Sequence, residues 1–308
     1  MVNFRFHLIS LIAVFLALGL GILVGSTVVD EAIVDGLRGE IDDAKEESSS
    51  VKAENDRLKD ELGLADDYIG ENASFAVESR LDDVPVAVFA ERGVEGDVLD
   101  DAMALLRAAG ADAPAVFWLE DDWELTESSQ LSALKDATGA IGTAATARRQ
   151  ALDALAERLD GSASAGEDDV IGALADAGFL QVEGDDVDLS QFPNRPARAV
   201  VVTGTDSDLL GSDLTLDLTR ALSDADVPVL AAEAFVDRDG SDAPDRGHAV
   251  SAVRGDDGLT DTVSTVDDLD LVQGRVAAIV ALEDLADGIV GDYGYGAGAT
   301  RNFPSRES

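Results

Sequence analysis

The sequence predicts an α/β protein in which an N-terminal transmembrane helix and a coiled coil precede a Rossmann-like, doubly wound α/β domain with two βαβ units. Three observations support this: a long uncharged segment near the N-terminus, a heptad repeat after it, and short apolar strands that then alternate with amphipathic helices. The expected domains are an anchor at 1–29, a coiled coil at 30–72 and an extracytoplasmic α/β domain at 80–308, with 80–183 and 197–308 as potential halves.

The segment 8–29 carries no charged side chain. As a helix with a rise of about 1.5 Å per residue, it is long enough to cross a bilayer. Arg5 precedes it and the acidic Asp30 and Glu31 follow it, so the positive-inside rule predicts a cytoplasmic N-terminus and an extracytoplasmic remainder. A cleaved signal peptide is the alternative, but its apolar core is usually only about 7–15 residues long. We therefore expect an uncleaved single-pass anchor.

Small residues recur one turn apart on the anchor, at Ala17, Gly21 and Gly25. This spacing lets two transmembrane helices approach closely, although glycine is also common in membrane helices that do not associate. We expect these positions to support dimerisation because the following segment favours it as well.

From Val34 onward, inner positions recur at alternating spacings of three and four, which is typical of a coiled coil. With Val34 at heptad position a, Asn55 also lies at a, where a buried asparagine commonly fixes register and strand number. The alternative is one amphipathic helix packed on its own domain. We expect a homo-oligomer, with a dimer favoured. The main predicted coiled-coil positions are Val34, Leu37, Ile41, Val51, Asn55, Leu58 and Leu62.

The second part of the chain contains the same order of strand, loop, helix and strand twice. Alternating strands and helices imply parallel strands covered by helices on both faces, arranged either as two similar lobes or as one sheet. The first copy has strands at 84–90 and 115–119 around a helix at 97–109, and the second has strands at 199–203 and 227–232 around a helix at 213–222.

The remaining predicted elements have shorter patterns. They are a polar joint at 70–83, a helical region at 125–160 that is broken at 139–143, a short helix at 170–177, short strands at 179–183, 248–253 and 261–266, and a helix at 273–287. The tail at 288–308 is rich in Gly and Tyr and ends without structure signals.

The composition limits the function classes. The chain has 22 basic and 63 acidic residues and a net charge of −41, which argues against nucleic acid and anionic lipid as partners. The acids are spread along the chain, so solubility is a simpler explanation for them than cation binding, the other interpretation. The absence of cysteine excludes disulfides, thiolate metal sites and a cysteine nucleophile.

No motif indicates an active site, and we expect neither enzymatic activity nor a bound cofactor. The loop at 203–211 lies where doubly wound folds bind ligands, but it contains neither GxGxxG nor a P-loop lysine. A turn in which Asp206 or Asp208 caps the next helix explains it.

Metal ligands cannot be assigned from the sequence. The acidic clusters at 120–124 and 237–242 are candidates, but such clusters are frequent in a chain of this charge. His7 and His248 are far apart, so neither a copper or zinc site nor a catalytic triad is indicated.

Two sequence blocks, together with the order of anchor, coil and α/β domain, resemble the actinobacterial MctB-type copper-transport proteins. The first block is FHLISLIAVFLALGLGILVGS at 6–26. The second is VDDLDLVQGR at 266–275, followed by Ala281-Leu282 and by GDYG at 291–294. The resemblance implies a membrane-anchored cell-envelope protein of copper homeostasis, with copper as the only implied metal and an outer-membrane location proposed for mycobacterial members.

The residues themselves favour a second interpretation, a dimeric envelope scaffold or binding module without transport activity. Other envelope proteins are potential partners under either interpretation. The first interpretation predicts that loss of the gene changes copper tolerance, whereas the second predicts self-association through the coil.

Overall fold

A computed structural model of the protein describes residues 4–162, 169–184, 192–193, 195–209, 213–236 and 244–304, and it describes their side chains except at 26–36 and 66. The chain divides into two units, Met1–Asp66 and Asp67–Ser308.

The first unit consists of helix α1, which runs from Phe4 to Val77 and so also enters the second unit. Its part Phe4–Gly25 has a mean hydropathy of 2.7 and is long and apolar enough to cross a membrane. None of this part is buried within the chain, unlike the core helix of a soluble protein. The predicted N-terminal apolar helix is therefore confirmed.

The last turns of α1 belong to the second unit and pack on it. Ala73 and Val77 are buried, as is Leu81 just beyond the helix end. The predicted polar joint at 70–83 is thus wrong in its first half. The helix continues there because residues one turn apart face the domain core, although the intervening residues are polar.

The second unit contains one seven-stranded sheet in the order β3-β2-β1-β4-β5-β6-β7. All neighbouring strands are parallel except β2 and β3, so the sheet is mixed. The strands of both predicted copies lie in this single sheet. The strands are β1 (Val86–Glu91), β2 (Val116–Leu119), β3 (Leu180–Glu183), β4 (Arg198–Gly204), β5 (Val229–Ala234), β6 (Val263–Val266) and β7 (Asp292–Tyr293).

Helices cover both faces of the sheet, and each face has its own apolar core. One core lies under α3 to α7, and the other lies under α2, α8 and the end of α1. Alternate residues of β1 enter opposite cores, with Phe89 in the first and Val88 in the second, as the two-residue period of a strand requires. The remaining helices are α2 (Gly96–Ala108), α3 (Ser128–Thr138), α4 (Ala144–Leu159), α5 (Val170–Asp176), α6 (Leu214–Asp224), α7 (Ser251–Arg254) and α8 (Val272–Leu285).

Another predicted element is wrong and one strand was not predicted. The segment 248–253 is a turn that leads into α7 rather than a strand, because the backbone N–H groups of Ala249 and Val250 bond to the Glu233 side chain instead of a neighbouring strand. The tail contains the unpredicted strand β7, which extends the sheet beside β6, with Thr265 opposite Asp292 and Val266 opposite Tyr293.

Candidate functional site

Buried carboxylates gather at the carboxyl ends of the parallel strands, the edge at which open α/β sheets bind ligands. Glu91 ends β1, Glu233 lies near the end of β5, and Asp267 and Asp268 follow β6. All four are at most 1% exposed, although ionised carboxylates are rarely buried without partners. We use the name carboxyl-edge network for Glu233, Asp267, Asp268, Asp270, Asp292, Arg246 and Arg254.

Asp267 is the centre of this network. Its carboxylate accepts hydrogen bonds from the backbone N–H groups of Tyr295 (2.8 Å) and Gly296 (3.0 and 3.1 Å) and from Arg254 Nη1 (2.9 Å). The chain can approach so closely because residue 294 is glycine with φ +120°, and a Cβ there would lie 2.1 Å from Asp267 Oδ1. The charge of Asp267 is thus satisfied by the segment that follows β7.

Arg254, at the end of α7, joins β6 to β7. Its Nε donates to Thr265 Oγ1 (2.7 Å), its Nη2 to the Tyr293 carbonyl (3.0 Å) and its Nη1 to the Ala297 carbonyl (2.8 Å). The arginine side chain is only 5% exposed, so this ion pair with Asp267 is shielded from solvent. This one guanidinium therefore ties two strands and the C-terminal segment together.

Arg246 makes a second ion pair nearby. It donates from both terminal nitrogens to the Asp270 carboxylate (2.6 and 2.9 Å), and its guanidinium lies 4.4 Å from the centre of the Phe235 ring. Its Nη1 also donates to the Asp267 carbonyl (3.0 Å). The acidic block after β6 is held by two arginines that precede it in the chain.

Glu233 anchors the turn before α7. Its carboxylate accepts hydrogen bonds from the backbone N–H groups of Gly247 and Ala249 (2.8 Å each) and of Val250 (3.3 Å). Burial raises the pKa of Glu233 above its usual value, while these donors counteract the rise. The Glu233 carboxylate therefore accepts the backbone hydrogen bonds of 247–250 that a neighbouring strand would otherwise accept.

Asp268 differs from its neighbours because neither of its carboxylate oxygens has a hydrogen-bond partner among the described residues. Burial, followed by the charge of Asp267, raises its pKa to about 7, and the Arg246 guanidinium opposes the rise. A carboxyl group of this kind can bind a proton in the neutral range. Perturbed acids of this type mark candidate functional sites, although structural networks produce them too.

The free energy of unfolding should depend on pH through Asp268. The folded-state pKa of about 7 lies above the unfolded value of about 4, so the folded protein holds a proton that the unfolded chain has lost. Stability should therefore fall as the pH rises from about 4 to about 7. The variant Asp268→Asn lacks this proton equilibrium. The difference between its melting temperature and that of the original chain should therefore shift in favour of the variant between about pH 4.5 and about pH 7.5, as measured by tryptophan fluorescence.

The exposed Asp261, replaced in the variant Asp261→Asn, is the matched control, and its melting temperature should follow that of the original chain at both pH values. A constant difference between Asp268→Asn and the original chain would contradict a raised pKa at this position.

From β1 the chain adds strands toward one edge of the sheet, and from β4 it adds them toward the other edge. In such sheets a crevice can form between the loops that follow these two strands, but here the two loops contact each other. The N–H of Asp208 donates to the Arg92 carbonyl (2.9 Å). A Cβ at Gly93, which has φ +94°, would lie 2.5 Å from the Asp206 carbonyl oxygen. The chain itself therefore occupies the place where a ligand binds in many doubly wound folds.

Glu91 lies beneath these loops and holds them. Thr203 Oγ1 (2.7 Å) and Ser207 Oγ (2.6 Å) donate to its Oε2, and Thr215 Oγ1 donates to its Oε1. Helix α6 begins at Leu214 with Asp213 at its N-cap position, so neither Asp206 nor Asp208 is the N-cap residue. Hydroxyl groups bonded to a buried acid order this loop instead.

A separate acidic groove lies between α4 and the end of α6, with a volume of about 500 Å³. Burial raises the pKa of Asp153 in this groove, Arg149 opposes the rise, and Asp224 and Glu157 add to it. Asp160 and Asp226 also line the groove. It can attract cations, but no group of three or more His, Cys, Asp or Glu side chains placed to hold a metal occurs among the described residues.

Of the two predicted metal candidates, the cluster 120–124 takes part in packing and hydrogen bonds of the fold, and the loop 237–242 is not described. Trp123 of the cluster 120–124 is buried in the core and Glu120 pairs with Arg92. Asp122 accepts a hydrogen bond from Gln130 (2.7 Å). The loop 237–242 lies outside the described residues. No metal ligands are brought together in the parts of the chain that are described.

The predicted association residues are exposed on α1. Ala17, Gly21 and Gly25 face open space, and no heavy atom lies within 4 Å of a Cβ built at either glycine. The side chain of Val34 is outside the described set. The other coiled-coil positions are exposed within the described part of α1, and dimerisation through them remains a prediction. The exposed ones are Leu37, Ile41, Val51, Asn55, Leu58 and Leu62.

Sequence reasoning did not identify the carboxyl-edge network or the buried Glu91 beside it. One signal was available: Glu91, Glu233 and Asp267 each lie within or directly after an apolar strand, where an acid is unexpected. The block at 266–275 contributes to the family resemblance, but its sequence does not indicate that Asp267 and Asp268 are buried.

A model of the family described as "Copper transport outer membrane protein, MctB" matches residues 1–304. The protein named copper transporter MctB in Mycobacterium tuberculosis is 29% identical over 315 residues, which cover 97% of this chain and 98% of the relative. The protein of the same name in Mycobacterium bovis matches equally, and the one in Mycobacterium leprae is 27% identical over 316 residues, again 97% and 98% of the two chains. The similarity thus includes the apolar helix, the heptad segment and the α/β unit.

Proposed function

The chain belongs to the family of MctB copper transport outer membrane proteins, and from this membership we propose that it is a membrane-anchored cell-envelope protein of copper homeostasis. The observation that carries the proposal is the match over residues 1–304, because it includes the membrane helix as well as the α/β unit. Copper is the cargo in this proposal, not a resident cofactor.

We propose that the N-terminus is cytoplasmic and that the chain from residue 30 onward is extracytoplasmic. Arg5 before the uncharged segment 8–29 and the acidic Asp30 and Glu31 after it support this orientation. An outer-membrane location rests on the family description alone. Fractionation of the envelope, followed by protease treatment of intact cells, tests both points.

We further infer a Rossmann-like, doubly wound class for the second unit. Two features support it: β1 and β2 are parallel with α2 between them, and β4 and β5 are parallel with α6 between them. Because loops fill the crevice at the strand-order reversal, we infer a binding or structural role for this unit rather than enzymatic catalysis.

A strain that lacks the gene should tolerate less copper and should contain an altered amount of cell-associated copper. Growth across a copper series and elemental analysis of washed cells measure the two quantities. Restoration of the gene should reverse both changes, whereas a gene with Leu16→Lys and Leu20→Lys in the apolar helix should not, because charges at the centre of the span oppose insertion.

Zinc tolerance of the same strains serves as the control and should not change. If the deleted strain retains both its copper tolerance and its copper content, the proposed role in copper homeostasis is wrong.

The residue chemistry suggests that copper handling requires an assembly rather than one chain. Copper sites in proteins use imidazole, thiolate and thioether ligands, but the chain has no Cys, two His and two Met. We therefore propose action as an oligomer or with other envelope proteins, without an additional cofactor.

The second candidate function is a dimeric envelope scaffold or binding module without transport activity. It is favoured by the row of large apolar side chains that α1 exposes along one face, of which Leu58 is 43% and Leu62 64% exposed. Solvent-exposed apolar rows at heptad spacing are typical of unpaired coiled-coil helices. We propose a homodimer through this face, supported in the membrane by Ala17, Gly21 and Gly25.

The apolar residues at heptad positions a and d of α1 are called the seam here. In the full-length chain in detergent, Leu58→Glu should weaken the dimer, because it places a carboxylate in this seam. Leu64→Glu is the matched control, since Leu64 is also an exposed leucine of α1 but lies off the seam. Sedimentation analysis of the detergent complexes gives the mass. A monomeric original chain, or equal masses for the two variants, would contradict the proposed seam.

A further inference from the structure

Charged residues flank the apolar seam of α1 in a regular order. With Val34 at heptad position a, every g position from 40 to 61 is glutamate and every e position from 38 to 59 is basic. The g residues are Glu40, Glu47, Glu54 and Glu61, and the e residues are Arg38, Lys45, Lys52 and Lys59. Of the five basic residues in this stretch, only Arg57 lies elsewhere, at position c.

This order distinguishes the two orientations of a helix pair. In a parallel, in-register pair, each g residue lies beside the e residue of the following heptad on the partner helix. Glu40 then faces Lys45, Glu47 faces Lys52 and Glu54 faces Lys59, so these three pairs are attractive, whereas the last g residue, Glu61, faces the acidic Asp66. In an antiparallel pair, g faces g and e faces e, which places glutamate against glutamate and lysine against lysine.

Within the single helix, the basic residue at position c contacts two of the g glutamates, and in the dimer it would share Glu54 with Lys59 of the other copy. Arg57 pairs with Glu54 and Glu61 of its own helix. Among the described residues, Lys45, Lys52 and Lys59 make no ion pair, so they remain available to a partner helix. Intrahelical pairing thus explains the basic residue at c but not the lysines at e.

The seam itself favours two strands. Ile41 at a and Leu37 and Leu58 at d follow the preference of parallel dimers for β-branched residues at a and leucine at d. Asn55 at a can pair with its own copy only when both helices have the same direction and register. Both copies also carry the apolar part Phe4–Gly25, which requires a common direction if they share one membrane.

We propose that the occupant of this helix face is a second copy of the same chain, bound parallel and in register, with the g glutamates of each copy paired to the e lysines of the other. The inference rests on the self-association proposed above and adds its direction, its alignment and the residues that determine them. A purely acidic or purely basic helix would not carry glutamate at g and lysine at e, as the pairing requires. The surface therefore favours a second copy of the same helix.

Cysteine cross-linking of the full-length chain in detergent tests direction and register, because the chain has no cysteine of its own. Single variants Ala44→Cys and Ala65→Cys, both at d, should form disulfide-linked dimers under mild oxidation, since equivalent d residues face each other in a parallel pair. Ser49→Cys, at the outward b position, is the control and should form few.

A charge series tests the pairing. Glu40→Lys, Glu47→Lys and Glu54→Lys together replace three attractive pairs in each direction by repulsive ones, and the dimer should weaken by on the order of a hundredfold. The control with the same charge change at outward positions, Asp42→Lys, Glu46→Lys and Asp60→Lys, should retain the dimer. Adding Lys45→Glu, Lys52→Glu and Lys59→Glu to the first variant should restore it, because the same three g–e pairs are again attractive.

The outcomes separate this inference from the proposal on which it rests. A dimer that forms no cross-link at Ala44 and Ala65, or whose affinity is the same in the g variant and the outward control, overturns the parallel arrangement but leaves the dimer. A monomeric original chain overturns both.

Discussion

Replacing Asp267 with asparagine should lower the free energy of unfolding of the α/β unit by about 3–5 kcal/mol, the range found when one partner of a buried ion pair is removed. The change is nearly isosteric, so it leaves no cavity. It removes the charge opposite Arg254, whose side chain is 5% exposed and cannot be hydrated in place. One of the two Asp267 acceptor atoms that serve Tyr295 and Gly296 also becomes a donor.

Denaturant unfolding followed by tryptophan fluorescence measures this effect, because Trp118 and Trp123, the two tryptophans of the chain, are both buried in the α/β unit. The control is Asp261→Asn, which neutralises an exposed carboxylate close to β6 and should change stability by less than about 0.5 kcal/mol. A loss below about 1 kcal/mol in Asp267→Asn would show that the Arg254 pair contributes little.

The variant Gly274→Ala should destabilise the unit by more than about 3 kcal/mol or prevent its folding. A Cβ at this position of α8 would lie 1.9 Å from the carbonyl oxygen of Asp268 and 2.4 Å from its carbonyl carbon. These are backbone atoms, so no rotamer change relieves the clash, and α8 would have to move away from the block that follows β6. Yield of soluble protein and the unfolding midpoint measure the effect.

Gly172→Ala provides the matched control in another helix. Gly172 lies within α5, and no heavy atom lies within 4 Å of a Cβ built there. Because alanine has the higher helix propensity, this variant should be neutral or more stable by up to about 1 kcal/mol. Equal effects of the two substitutions would mean that helix propensity, not contact with Asp268, decides the result at Gly274.

The α/β character of the fold was predictable because its strongest signals are local. Apolar runs rich in valine and alanine identified β1, β4 and β5, and the glycine at 139 marked the break between α3 and α4. Elements that depend on distant partners were missed. Strand β7 has two residues, and only its pairing with β6, about 27 residues earlier, makes it a strand.

The carboxyl-edge network was not predictable for a related reason. With 63 acidic residues in the chain, the sequence does not distinguish the few buried acids from the exposed ones. Asp267 can be buried because it pairs with Arg254, 13 residues earlier, and with backbone N–H groups 28 and 29 residues later. The heptad, in contrast, repeats every seven residues and is visible without any structure. Local periodicity thus suffices to propose an association surface, whereas only the folded chain revealed the buried acids.

The C-terminal segment has a consequence for biogenesis. The side chains of Asp267 and Arg254 obtain hydrogen-bond partners from four residues, 293, 295, 296 and 297, which are synthesised after β6 and α8. Until that segment arrives, two buried charges and the outer edge of β6 lack their native partners. The fold of the unit can therefore be completed only after β7 and the segment behind it have been synthesised, and a chain truncated before β7 should be digested by proteases more readily than the full chain.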